Sequence, residues 1–470
     1  MRSWDRRPRG CHLAAPQSCT LIRRIAANGV SLFAMIRFLL FVLLLSSGLA
    51  SQTPPRVVSL APENLAEAVD PATTELVVVF DRDMNRSGHS ICGGGRSFPK
   101  FNGRPKWLGP RKLVLYVELQ PDHEYELSLN CSSARKIRAQ DGTRLAPVKW
   151  QFTTLPANPR PAAEQRRRNE AAIAELTKLL DTRYSYRDRK VRDWAALRQQ
   201  NQDALLGART DRAFAILAAK MLAAAEDQHM SLSYKQKVYA TYQPLIDPLY
   251  RTFAVRRVVT LESVSPRAYR ARTKDGIGYL LITGWQENVE PERLVGAIAE
   301  MMDAKALVID VRSNTGGDER IARQIASWFV EGKHVYARHR TRTGPGADGF
   351  SEIQDRVITG HDAAYDRPVV VLAGPRVMSS NEAFLLMMKQ ARDVTIVGQP
   401  TCGSSGNPQP YNLGNDVTIS LPSWQALRPD GTCWEGEGIA PDVLVPCTSR
   451  DFETRDPTLD KALELLRAKK

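Results

Sequence analysis

Residues 367–388 read RPVVVLAGPRVMSSNEAFLLMM. The β-branched run Val369–Val371 with Leu372 and Ala373 is short enough for a strand buried on both faces, and Gly374 and Pro375 punctuate a turn. The apolar stretch after Asn381 then predicts a helix. This junction places Ser379 and Ser380 at the start of that helix, where backbone amides lack intrahelical partners and the positive end of the dipole points outward. A serine so placed can attack a carbonyl while neighbouring amides stabilise the oxyanion. Ser and Asn are also the preferred helix caps, and SSNE taken alone favours that plainer role.

Upstream, DVRSNTGG (Asp310–Gly317) ends another apolar strand in a turn with two glycines. Such a turn lets the backbone approach a ligand and present its amides. It fits neither the GxxxxGK[ST] nor the GxGxxG phosphate pattern. Around it, GYLLITGW, a helix near Pro291 to Met302, ALVIDVR and a helix near Arg320 to Val330 alternate strand with helix. That alternation predicts a parallel or mixed sheet covered by helices, with catalytic groups where strands hand over to helices.

Further toward the N-terminus, Asn169 to Leu180, Val191 to Leu205 and Thr210 to Glu226 carry apolar residues at three- and four-residue spacing, the pattern of a small helical bundle. His229 follows the third helix. PANPRPAAEQRRR (156–168) reads as a solvated linker running into a helix. From Pro54 to Pro156, short alternating runs such as ELVVVFDRDM, KLVLYVEL and YELSLNC, divided by Pro, Gly and Asp, predict a β-sandwich.

At 470 residues the chain is long enough for two or three domains. The formal charge of +14 is no nucleic-acid footprint, because the first fifty residues hold seven arginines against one aspartate and the rest is mixed charge without a basic stripe. RFLLFVLLLSSGLA (37–50) has the basic, apolar and small-residue parts of a secretory signal with cleavage after Ala50. Its uninterrupted apolar stretch is short for a membrane span. Met35 precedes it, so residues 1–34 read as an upstream extension. The mature chain is expected to be secreted or periplasmic, without stable membrane insertion. In an oxidising compartment Cys92 can pair with Cys131, and two of Cys402, Cys433 and Cys447 with each other. No cysteine or histidine cluster has zinc spacing, and neither a metal nor an organic cofactor is expected.

LAPENLAEAVDPATTELVVVFDRDMN (60–85), LQPDHEYELSLN (119–130) and DGTRLAPVKWQFTTLP (141–156) together resemble the bacterial Ig-like domain. DVRSNTGG, SSNEAF and GQPTCGSSGNPQPYNL, in that order, resemble the tail-specific (C-terminal processing) protease family over about Glu164 to Val445. YSYRDRKVRDW and EDQHMSL look like its helical subdomain. The resemblance implies a multidomain α+β protein. Residues 1–50 would be signal and extension, 51–155 an Ig-like sandwich, 156–168 a linker, 169–235 a helical subdomain and 236–470 an α/β domain of the ClpP/crotonase kind. In the family's SxSE order, Ser379 stands before Glu382 as nucleophile, with Gly317 and Ser380 as oxyanion donors.

Members that use a Ser/Lys dyad carry lysine in GKGT, whereas this chain reads GSSG, with Ser404 in that place. The sequence is more similar to the tricorn-like branch, which implies His229 as the base and Glu435 as its orienter. Glu437 is the rival orienter, and Gln228 stands where that branch has a serine. The chemistry is consistent, since a serine hydroxyl needs an adjacent base and imidazole titrates near neutrality. About forty residues separate Tyr234 from Gly276, too few for the PDZ domain of many relatives. The expected activity is hydrolysis of peptide or protein substrates through an acyl-enzyme. A non-catalytic binding module on the same fold is the alternative, and an esterase is a third reading.

Overall fold

The computed structural model describes residues 53–247 and 249–469. The signal-like segment and the upstream extension lie outside them. The chain divides into two compact units, one built mainly from residues up to Phe152 and the other from Thr153 onward.

The N-terminal unit holds two sheets. In one, Val57–Ala61, Glu75–Phe80 and Lys112–Glu118 pair antiparallel, and Lys100–Phe101 and Lys106–Trp107 both pair with the last of these. The other follows the order Ala66–Val69, Val148–Thr154, Glu124–Leu129, Ile91–Cys92. Period-2 burial explains the strands: Leu76, Val78 and Phe80 are buried while the residues between them are not. Cys92 and Cys131 form a disulfide.

The larger unit is built on a seven-stranded sheet in the order Glu262–Ser265, Ala268–Arg272, Gly278–Ile282, Leu307–Asp310, Val369–Ala373, Val394–Gly398, Val443–Leu444. The first two pairings are antiparallel and the rest parallel. Parallel strands are covered on both faces, which is why LVID and VVVLA are apolar almost throughout and wholly buried. Leu307, Ile309, Val369 and Val371 pack toward helices Pro291–Ala299, Glu319–Ala326 and Ser380–Met388. Val308, Val370 and Leu372 face Leu459, Leu463 and Leu466 of the C-terminal helix Pro457–Ala468.

Helices Ala162–Arg183, Trp194–Gly207 and Asp211–Leu222 form a second core. Asp193 and Thr210 cap the latter two by accepting from the amides of Ala196 and Ala213. The bundle does not close on itself. Val417, Ile419 and Leu421 complete its core, and their strand Val417–Pro422 pairs with Ser231–Tyr234. The first helix begins at Ala162, inside the stretch read as linker, because Gln165 and Asn169 are buried against Asp211 and the carbonyl of Ala208.

The expected disulfide among the three C-terminal cysteines is not formed. Cys402, Cys433 and Cys447 are all free, held in separate surroundings: Cys402 accepts a hydrogen bond from Gln228, Cys433 packs on the bundle core, and Cys447 lies beside Gln399 and Thr458.

Candidate active site

Ser379 immediately precedes helix Ser380–Met388, at φ 59° and ψ −133°. Positive φ is costly for a residue with a side chain, about 1–3 kcal/mol, and persists only where the surroundings enforce it. They do so here through the main chain. Ser379 donates its N–H to the Ser404 carbonyl at 2.8 Å, and its own carbonyl accepts from Glu382 N–H at 2.9 Å. The result is a strained turn at the start of the helix, beyond the C-terminal end of strand Val369–Ala373, of the kind that projects a serine. Ser379 is half-buried, and its hydroxyl makes no hydrogen bond with another described residue. Ser380 is buried, and its Oγ has no partner among the described residues.

The glycine turn lies against this elbow. A Cβ placed on Gly316 would come within 2.9 Å of the Ser379 Cβ and 3.3 Å of the Ser380 nitrogen. The Asn381 side chain fixes the contact, donating to the carbonyls of Val311 and Asn314 and accepting from Trp285 Nε1. Trp285 pairs with Gly317 in a parallel bridge, receiving Asp318 N–H and donating to the Gly316 carbonyl. In that pattern the N–H of Gly317 points away from Trp285. It donates to no described residue, whereas the Gly316 amide is consumed by Asn314 Oδ1. Ser380, as the first helical residue, has an amide with no intrahelical acceptor. Gly317 and Ser380 therefore keep the free donors that an oxyanion needs.

His229 follows the short turn after the third bundle helix. Its backbone N–H donates to Asp227 Oδ1 at 2.9 Å, and Tyr184 Oη donates to Asp227 Oδ2 at 2.8 Å. Its Nδ1 lies 2.8 Å from the hydroxyl oxygen of Ser404. Burial pushes the imidazole below its ordinary 6.5, with Asp227 opposing and Lys190 reinforcing the shift. No hydrogen bond joins His229 to Ser379.

Glu435 makes no hydrogen bond to the ring. Its Oε1 pairs with Lys190 Nζ at 2.8 Å and its Oε2 accepts from Ser405 N–H at 2.8 Å. Burial and the Asp227 carboxylate raise it to about 7 against the pull of Lys190. Burial would depress the Lys190 ammonium, but Glu435 outweighs it and the net shift is upward. Lys190 thus stays protonated, which disqualifies it as a base. Glu437 is exposed and meets Arg428 at 3.4 Å.

Glu382 joins the elbow to the loop of Ser404. Its Oε1 accepts from Thr401 Oγ1 at 2.5 Å and Gly403 N–H at 2.7 Å, and its Oε2 from Ser404 N–H at 3.2 Å. It is fully buried, which pushes its carboxyl up to about 8.

Two cavities adjoin these groups. One, about 560 Å³, is bounded by Lys190, Gln228, Cys402, Ser404 and Glu435. The other, about 750 Å³, is bounded by Thr315 and Met378, which flank the glycine turn and Ser379, and by Leu245, Ile246, Arg251 and Arg376.

Sequence reasoning named Ser379, Ser380, Gly317, His229 and Glu435 but missed Lys190, Tyr184 and the ring contact of Ser404. Asp227, two residues before a histidine, carried a local signal, since an aspartate readily accepts the N–H two residues on. The other contacts join remote segments and leave no local pattern. Among the described residues, no group of acidic, histidine and cysteine side chains could hold a metal ion. Nor is any described helix long and apolar enough to cross a membrane.

Residues 276–445 match peptidase family S41. The carboxy-terminal processing protease CtpB of Bacillus subtilis (strain 168) is 26% identical over 197 residues, 41% of this chain and 39% of that protein. The carboxyl-terminal-processing protease of Synechocystis sp. is 24% identical over 193 residues, 40% and 43% respectively. The chain thus spans about two fifths of the length of these curated relatives. A crystal structure of a candidate peptidase from Parabacteroides merdae ATCC 43184 aligns with a TM-score of 0.57 at 24% identity, covering 65% of this chain and 98% of that one. Mature CPAF aligns with a TM-score of 0.51 at 14% identity, covering 65% and 99%. At these identities both structures speak to the fold.

Proposed function

We propose that the chain, whose residues 276–445 match peptidase family S41, is an exported serine peptidase of the tail-specific kind acting through an acyl-enzyme at Ser379. His229 Nε2 takes the Ser379 proton as Oγ attacks the scissile carbonyl. The N–H groups of Gly317 and Ser380 receive the oxyanion, which is the largest single source of rate in such sites. The imidazolium then protonates the leaving amine, and the same nitrogen activates water to release the acyl group. Glu435 serves this site by neutralising Lys190, whose charge would otherwise weigh more heavily against the imidazolium. Peptides or proteins are the substrates, met in the cavity beside Met378 and Thr315. The first unit is an Ig-like module without chemistry of its own, and residues 37–50 direct export.

One observation carries this reading: the strained backbone of Ser379, packed on a glycine turn whose next amide is free. An ordinary cap needs no such strain. The experiment is labelling of the purified protein with a fluorophosphonate probe, followed by mapping of the modified residue. Label on Ser379, and loss of label and peptide hydrolysis in Ser379→Ala, are expected; undiminished labelling of that variant would remove Ser379 from the role.

The missing Ser379–His229 hydrogen bond favours a second reading, a non-catalytic binding module on the same fold. Catalytic hydrogen bonds often tighten only when substrate is bound, so labelling of the protein, rather than this bond, separates the two readings. Failure of the probe to react with any serine would decide for the binding module. Turnover of simple esters without peptide cleavage would instead indicate an esterase.

A further inference from the structure

We propose that the Ser404 hydroxyl, not a carboxylate, holds the His229 ring in its working tautomer and orientation. The inference rests on the peptidase reading above and assigns a positioning residue within it. Ser404 Oγ lies 2.8 Å from Nδ1 and is the ring's hydrogen-bond partner among the described residues. The carboxylates that could compete are occupied. Glu435 is taken by Lys190 and Ser405 N–H, and Asp227 by His229 N–H and Tyr184 Oη.

Ser404 is itself held rigidly. It is 3% exposed, its N–H donates to Glu382, and its carbonyl accepts the N–H of Ser379. One residue thus touches both the base and the nucleophile, through its side chain and its main chain. With Nδ1–H donating to Oγ, the lone pair sits on Nε2, the nitrogen able to take a proton. When the imidazolium forms, Nδ1–H keeps the same acceptor. Ser404 is too buried, and its backbone too ordinary, to rival Ser379 as the nucleophile. A hydroxyl stabilises imidazolium less than a carboxylate does, in keeping with a ring whose charged form is disfavoured.

The test compares Ser404→Ala, Ser404→Thr and Ser404→Asp with wild type, reading kcat and KM across pH and the rate and site of fluorophosphonate labelling. Each variant keeps the backbone hydrogen bonds, and a thermal melt checks folding. A hydrogen bond to a charged group corresponds to roughly tenfold to a hundredfold in rate. Ser404→Ala is therefore expected to lose about that much in kcat with KM little changed, and Ser404→Thr to recover part of it. Ser404→Asp should shift the acidic limb of the pH profile upward. The other charged groups facing the ring, Asp227 and Lys190, remain in place, as do Glu435 paired to Lys190, Glu382 behind Ser404 and the Cys402 thiol held by Gln228. Wild-type kcat and pH profile in a folded Ser404→Ala protein, still labelled at Ser379 at the wild-type rate, would overturn this proposal and leave the peptidase reading intact. Label on Ser404, or on no serine in wild type, would overturn both.

Discussion

Gly316 leaves no room for a side chain beside Ser379: a Cβ on it would lie 2.9 Å from the Ser379 Cβ and 3.0 Å from the Met378 carbonyl. Its φ of 102° is also one that L side chains rarely adopt. The glycine therefore sets how closely its turn approaches Ser379. Gly316→Ala must push the two apart, and displacement of about 1 Å at reacting groups can cost on the order of a hundredfold. The expected result is a fall of that size in kcat/KM with a smaller loss in melting temperature. Steady-state kinetics with unchanged kcat/KM would show that the turn does not position Ser379.

The surroundings of His229 predict the sign of two charge changes. A general base works in its neutral form, and burial holds this imidazole below 6.5, so activity should persist into mildly acidic solution. Lys190 disfavours the imidazolium and Asp227 favours it. Lys190→Met should then move the acidic limb of kcat/KM upward, and Asp227→Asn should move it downward. Shifts in the same direction would mean that the limb belongs to another group.

Glu382 predicts a dependence of stability on pH. Its carboxyl titrates near 4.5 when exposed and at about 8 when folded. Between those values the folded protein binds the extra proton, so stability falls as pH rises through that window. At about 1.4 kcal/mol per unit the total is on the order of a few kcal/mol. Glu382→Gln cannot titrate, so its deficit against wild type should be largest near pH 5 and shrink toward pH 8. Urea denaturation at both values measures it, and a deficit that grows with pH would contradict the assignment.

The parts of this arrangement that obey local periodicity were legible in the sequence. Buried strands such as Val369–Ala373, the Ser379 junction and the two glycines of the turn announce themselves through composition, punctuation and capping. The bundle helices did too, although the first starts earlier, at Ala162, where burial of Gln165 outweighs a composition that looks solvated. What stayed hidden depends on register between remote segments. Pairing of Ser231–Tyr234 with Val417–Ser420 closes the helical core with residues that no local pattern assigns to it. The same cause hid Lys190, whose partner Glu435 lies far along the chain. Motif order alone led to Glu435 as the residue beside His229, where the structure has Ser404.

Arg312, in the turn that leads to Gly316, is 1% exposed and bridges two buried carboxylates, Asp310 and Asp456. Asp456 meets it with both oxygens, at 2.7 and 2.8 Å, and also accepts Leu459 N–H at the start of the C-terminal helix. The two ways of breaking this triad are unequal. Asp456→Ala removes two charged hydrogen bonds and a helix cap but leaves Arg312 paired with Asp310, so no buried charge is left without a partner. Arg312→Met leaves two carboxylates buried with no cation between them, and removal of one partner from a buried pair costs about 3–5 kcal/mol or more. Arg312→Met should therefore be the more damaging change at pH 7. Urea unfolding of both variants at pH 7 tests the ordering. Equal losses would mean that hydrogen-bond count, not charge balance, governs this part of the core.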